Sequence, residues 1–329
     1  MSSILLSLFG AASQGLTWAI LALGVYITFR ILDIPDMSCE GSFALGGSIS
    51  SFIMVSLNWN PFITLLIATF FGMIAGLVTG FLHTKLKIPA ILAGILTMVG
   101  LYSINLRIMG QANTALLGKD TIITFVQNLL PSAEMLGIKN SVLQTTATIL
   151  VGLIFTGIVI SFLYWFFGTE VGCCIRATGN NPAMVRAQGV NTDKMKIFGL
   201  ILGNALVALS GALVTQNQGY ADVGMGIGAI VIALASIVIG EVIFSRAKNF
   251  AHKLIAIVLG SIIYRLIIAL VLQMGLDAND LKLLTACVVA LALSIPVLKK
   301  TTAYIMISIT LKKIANAIQI KFTVKRGRK

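Results

Sequence analysis

The sequence predicts an all-α, polytopic transmembrane helical bundle of about nine spans, bounded at roughly eight to ten. Three observations predict it. Only 11% of the 329 residues are charged while 57% are hydrophobic, and the mean hydropathy is +0.98; a soluble domain carries about 25% charged residues. Uncharged apolar stretches recur along the chain, those at 62–82 and 143–167 being the clearest, and about 20 such residues in a helix cross a bilayer. The Lys and Arg residues gather in alternate loops, as the positive-inside rule requires of a multi-pass chain.

The spans in order are 14–32, 41–57, 62–82, 90–109, 143–167, 197–214, 226–244, 254–274 and 283–298. A mixed segment, 110–141, separates the fourth and fifth, and a polar one, 168–196, the fifth and sixth. Nine crossings place four basic groups on one side. These are Lys85 with Lys87; Arg176, Arg186, Lys194 and Lys196; Arg246, Lys248 and Lys253; and the tail. That side is cytoplasmic, so the N-terminus is expected outside; a broken or re-entrant second segment would make the count even. No Lys or Arg precedes Arg30, so the start lacks the basic region of a cleavable signal peptide and is expected in the mature protein.

The net charge of +13 is concentrated at the C-terminus, in Lys299, Lys300, Lys312, Lys313, Lys321, Lys325, Arg326, Arg328 and Lys329, with no acid after Asp280. That distribution points to anionic lipid rather than nucleic acid. The chain divides into a membrane domain, 1–300, and a basic cytoplasmic tail, 301–329. In the tail Leu311, Ile314, Ala315 and Ile318 fit a helix lying in the interface, the plain alternative being a tail that only enforces topology. Gly72, Gly76 and Gly80, then Gly199, Gly203 and Gly211, form small-residue stripes that let helices pack closely in lipid. Cys39, Cys173, Cys174 and Cys287 have no metal-ligand spacing and are expected as free thiols.

Charges inside spans need partners. Glu241 is expected in an ion pair or against a partner protein, and Arg265, mid-span beside Tyr264, takes Glu241 as its candidate partner. Tyr102 and Asn105 share a helix face beside Ser103, and that face is a candidate solute pathway. Arg107 stands near its mouth to meet a solute carboxylate, or else reaches the outer headgroups. Asn204, with Gln216 and Gln218, serves the pathway or bonds between helices. His83 and His252 lie beside basic loops without a catalytic partner. No constellation of catalytic residues or metal ligands is present, and no enzyme activity, cofactor or metal is expected in this chain.

Segment 168–196 carries the most function. Asn180 or Asn181 can cap a helix, Pro182 suits its first turn, and Gly189 suits the position past its end. The helix between, 182–188, is too short to be stable alone, and docking on a cytoplasmic partner is its economical use; an ordinary turn-rich connection is the alternative.

The pattern Gly172, Arg176, Ala177, Gly179, Asn181, Pro182, Gly189, Val190, Asn191 and Lys194 resembles the coupling segment of ATP-binding-cassette importer permeases of the branched-chain amino acid and ribose type. The resemblance extends to Ala208, Ser210 and Gly211 and to the Gly-rich stretch DIPDMSCEGSFALGG at 33–47. The stretch HTKLKIPAILAGILTMVGLYSINLRIMG at 83–110 looks close to a subgroup that takes up aromatic amino acids, tryptophan or tyrosine. The resemblance implies a type II ABC importer permease fold in the bacterial cytoplasmic membrane. It assigns ATPase coupling to Gly172, Arg176, Gly179, Asn181, Pro182, Arg186 and Gly189.

It further implies cytoplasmic ABC ATPases that bind ATP and Mg, an extracytoplasmic binding protein or lipoprotein, and a homodimer or a heterodimer with a related permease. The solute implied is small and polar, an amino acid and in that subgroup an aromatic one. A sugar or nucleoside permease and a self-contained secondary carrier or channel are the other readings. A phosphate-binding loop is missing: Gly118-Lys119 is followed by Asp120, so ATP hydrolysis is expected in a separate subunit. The basic tail has no counterpart in many such permeases and inherits no role.

Overall fold

A computed structural model describes residues 3–131, 140–244 and 249–273, with scattered positions between 283 and 294. The expected ninth span is described only at scattered positions, and the basic tail, Arg246 and Lys248 lie outside the described residues. Among the described residues six helices are long and apolar enough to cross a membrane: Leu6–Ile31, Pro61–Thr84, Ala90–Met109, Asn140–Gly168, Thr192–Gln218 and Phe250–Gln273. Ala229–Ile243 is a shorter apolar helix.

Helix α1, Ser3–Tyr26, continues into a π-helical turn at Ile27–Ile31. A six-residue connection, with Asp33 at φ 55°, leads to α2, Ser38–Phe52, which ends in a second π turn, Ile53–Leu57, stopped by Asn58 in the left-handed region at φ 51°. Asn60 caps α3, Pro61–Thr84, by accepting from the Phe62 amide at 2.9 Å. Helix α4 spans Ala90–Met109 and stops at Gly110.

A short strand β1, Asn113–Ala115, and α5, Ile122–Leu129, lead to α6, Asn140–Gly168. Two short helices follow, α7 at Glu170–Asn180 and α8 at Pro182–Ala187, before α9, Thr192–Gln218. Strand β2, Tyr220–Asp222, pairs antiparallel with β1, Thr114 facing Ala221. Among the described residues this two-stranded ribbon is the departure from an all-α fold. It ties the two loops at the end of the bundle opposite α8. Helices α10, Ala229–Ile243, and α11, Phe250–Gln273, complete the described bundle.

Helix α9 is the central element, packed against α1, α2 and α3. Glycines set the spacing: a Cβ on Gly76 would lie 2.3 Å from the Leu200 carbonyl oxygen, and one on Gly72 2.5 Å from the Ala208 Cβ. Such contacts maximise dispersion where lipid offers no hydrophobic drive. Helix α2 is rich in Ser and Gly and too polar to face lipid. From Ser38 to Ser51 every residue but Glu40 is buried, so α2 is a protein-surrounded strut. By contrast α3 and α4 present Leu66, Phe70, Ile91, Leu92 and Leu96 outward, as lipid-facing helices do.

Several polar residues inside the bundle bond between helices. Gln216 donates to Thr64 Oγ1 at 3.0 Å and to the Pro61 carbonyl at 3.2 Å, and accepts from the Ile122 amide at 3.1 Å. The expected Arg265–Glu241 pairing is corrected. Glu241 accepts a bidentate pair from Arg30, at 2.9 and 2.5 Å. The Arg265 guanidinium instead lies over the Trp18 ring, 4.1 Å from its centroid. Trp18 offers a π face that sequence spacing does not advertise.

Candidate coupling surface and solute face

The segment from α7 to α9 is built by three consecutive caps. Thr169 accepts from the Gly172 amide at 3.3 Å, Asn181 Oδ1 from the Met184 amide at 3.1 Å, and Asn191 Oδ1 from the Asp193 and Lys194 amides at 3.1 Å. Each cap satisfies donors that a helix start leaves unpaired. Gly189 at φ +84° turns the chain after α8, a conformation only glycine adopts without strain. Gly179 sits against the end of the first π turn, where a Cβ would lie 1.9 Å from the Ile31 carbonyl oxygen. The platform is therefore locked to α1 by direct backbone contact.

The two arginines of the motif are spent inside the segment. Arg176 donates to the Phe167 carbonyl at 2.8 Å and lies over the Phe250 ring at 5.6 Å, joining α6, α7 and α11. Arg186 Nε donates to Thr192 Oγ1 at 2.9 Å, bracing α8 on α9. Of α8 only Val185 is buried, at 2% exposure. Ala183, Met184, Ala187 and Gln188 are exposed, and Met184 is the large apolar side chain among them, at 50%. The motif residues thus shape the segment, and these other side chains are what it offers outward.

Beside α8 is a hollow of about 620 Å³ lined by His83, Lys87, Arg186 and Lys196 with a single acid, Asp193. Its net positive character suits acidic groups on a partner.

A second feature lies deep in the bundle. Asp36, fully buried, precedes α2 and accepts from the Ser38 amide at 2.9 Å and the Ser38 hydroxyl at 2.5 Å. Its other oxygen accepts from Asn204 Nδ2 at 2.7 Å, while Asn204 Oδ1 accepts from Ser42 at 2.6 Å. This network fastens the α1–α2 connection to the middle of α9. The sequence leaves Asn204 to serve the pathway or to bond between helices; it is fully buried here and bonds Asp36 and Ser42. Asp36 was missed, its only sequence signal being the Asp-x-Ser cap spacing.

Tyr102, Ser103 and Asn105 do come together. They line a cavity of about 430 Å³ between α2, α4 and the turn before α10, with Glu40, Met98, Val99 and Ile227 among its other walls. Arg107 is exposed in the last turn of α4, away from that lining. Asn105 is fully buried and donates from Nδ2 to the Gly41 carbonyl at 3.3 Å. Glu40, which sequence reading passed over, accepts from the Gly228 amide at 2.9 Å.

A bundle of long apolar helices, with a capped and braced short helix exposed at one end and a solute-sized cavity beside α2 and α4, fits a membrane permease. The chain belongs to the family described as the branched-chain amino acid transport system / permease component, whose model matches residues 7–298. It is similar to a tyrosine transport system permease protein of Clostridioides difficile, 40% identical over 92% of this chain and 96% of that one. It is also similar to a probable branched-chain amino acid transport permease protein LivH of Methanocaldococcus jannaschii, 25% identical over 67% of this chain and 69% of that one. The ribose import permease protein RbsC of Escherichia coli K12 is 25% identical over 78% of this chain and 75% of its own length. The chain is a multi-pass membrane protein and the permease component of an ABC import system.

Proposed function

We propose that this permease carries an amino acid, tyrosine or another aromatic one, inward across the bacterial cytoplasmic membrane. An extracytoplasmic binding protein delivers the solute on the β1–β2 side. Two cytoplasmic ATPases, which hold ATP and Mg, engage the α7–α8 segment. The permease pairs with a second copy or a related permease, and the fold is that of a type II importer with nine spans and an outward N-terminus.

The observation that carries this reading is α8: a capped, braced helix that buries one side chain and holds Met184 and its neighbours out to a partner. ATP binding biases two arrangements of the ATPases, and a helix rigidly joined to α1 and α9 transmits that bias to the bundle. The 40% identity to the tyrosine permease favours an amino acid over the sugar that the ribose relative suggests.

Two measurements test the proposal. The double variant Gly179→Asp with Pro182→Ala is expected to insert in the membrane and to lose co-purification with the ATPase; normal co-purification overturns the docking assignment. A strain lacking the permease is expected to lose uptake of labelled L-tyrosine and keep uptake of ribose; the reverse pattern overturns the amino-acid assignment.

A further inference from the structure

The cavity between α2 and α4 has an unbalanced chemistry. Among the residues that line it, Glu40 is the one that carries charge, and among the described residues no cation pairs with it. Glu40 lies in the first turn of α2, where the positive end of the helix dipole favours a carboxylate. The Gly228 amide holds one carboxylate oxygen at 2.9 Å; the other carries no hydrogen bond among the described residues. On α4, beside Gly41, Asn105 is fully buried and its Oδ1 has no partner among the described residues. Its orientation is fixed, because the Gly41 carbonyl requires the amide nitrogen on its own side.

The site therefore presents acceptors that lack donors. A buried acceptor left unpaired costs free energy, and a half-buried carboxylate costs more until a cation arrives. The remaining walls, Met98, Val99 and Ile227, are apolar, and Tyr102, 53% exposed, stands at the opening. A volume of about 430 Å³ suits a small solute.

Resting on the amino-acid reading above, we propose that Glu40 and Asn105 form a station that takes the α-ammonium group of the passing solute, with its apolar or aromatic side chain against Tyr102, Met98 and Ile227. A primary ammonium supplies three donors and the missing charge. A neutral sugar supplies donors but leaves the carboxylate uncompensated.

The test is initial uptake of labelled L-tyrosine and labelled ribose. The full chain, wild type or variant, is supplied to a strain lacking the chromosomal copy, and rates are normalised to the amount of permease in the membrane. Glu40→Gln keeps the acceptor for the Gly228 amide and removes only the charge; Asn105→Ala removes the unpaired acceptor. The expected result is a tenfold or greater loss of tyrosine uptake with Glu40→Gln and a several-fold loss with Asn105→Ala. Glu40→Gln at the wild-type rate overturns the ammonium station while leaving the amino-acid function standing. A wild-type protein that restores ribose uptake and no tyrosine uptake overturns both.

Discussion

Removing the cap of α8 isolates the contribution of the coupling helix. Asn181→Ala deletes the Oδ1 acceptor that the Met184 amide uses at 3.1 Å. Pro182 has no amide to lose, so Met184 and Ala183 are the donors left bare at that end. Replacing an Asn cap by Ala costs about 0.5–2 kcal/mol. At about 1 kcal/mol the equilibrium constant for the formed turn falls about fivefold. Val185 packing and the Arg186–Thr192 bond remain, so the turn is partly held and the change in ATPase affinity is smaller, about three- to fivefold. The assay is titration of purified ATPase onto the detergent-solubilised permease, with Asn181→Ser, which retains a capping oxygen, as control. Wild-type affinity in the Ala variant, or a Ser variant as weak as Ala, refutes the claim that a preformed α8 is what docks.

Three further outcomes follow from the same contacts. Gly76→Val drives a side chain into the Leu200 carbonyl, 2.3 Å from even a Cβ, and forces α3 from α9; the expected result is loss of monodisperse protein in detergent, and normal yield contradicts the packing. Asn204→Leu strips the donor at 2.7 Å from buried Asp36 and should lower stability by about 1–3 kcal/mol, read as a clear fall in thermal unfolding temperature; an unchanged midpoint contradicts the fastening role. Glu241→Gln weakens a bidentate pair whose side chains are 60% and 36% exposed, and solvent screening limits the stability loss to about 1 kcal/mol or less; a large fall in the same melting assay would show that this pair is more than a surface contact.

The parts of the fold legible in the sequence were those set by local chemistry. An apolar run puts the fourth span at 90–109, and the helix stands at Ala90–Met109, between Pro89 and Gly110. Asn181, Pro182 and Gly189 marked the short helix to within a residue. What was not legible depends on distant partners. Asp36 and Asn204 are 168 positions apart, and neither looks unusual alone. The β1–β2 ribbon joins three-residue strands, too short to show alternation. Arg265 was assigned an acid because a charge in a span needs compensation, whereas the fold compensates it with the Trp18 ring. Glu40 sat unnoticed in a Ser- and Gly-rich helix, since only the fold turns it toward Tyr102 and Asn105.

The most direct measurement is two-sided cysteine chemistry at Met184. In a background with Cys39, Cys173, Cys174 and Cys287 replaced, Met184→Cys is compared with Leu117→Cys, 88% exposed in the loop after β1. In intact cells a membrane-impermeant maleimide is expected to label position 117 and spare position 184. A thiol-to-amine crosslinker in inverted vesicles should join position 184, not 117, to the ATPase. Labelling of position 184 from outside the cell would contradict the account.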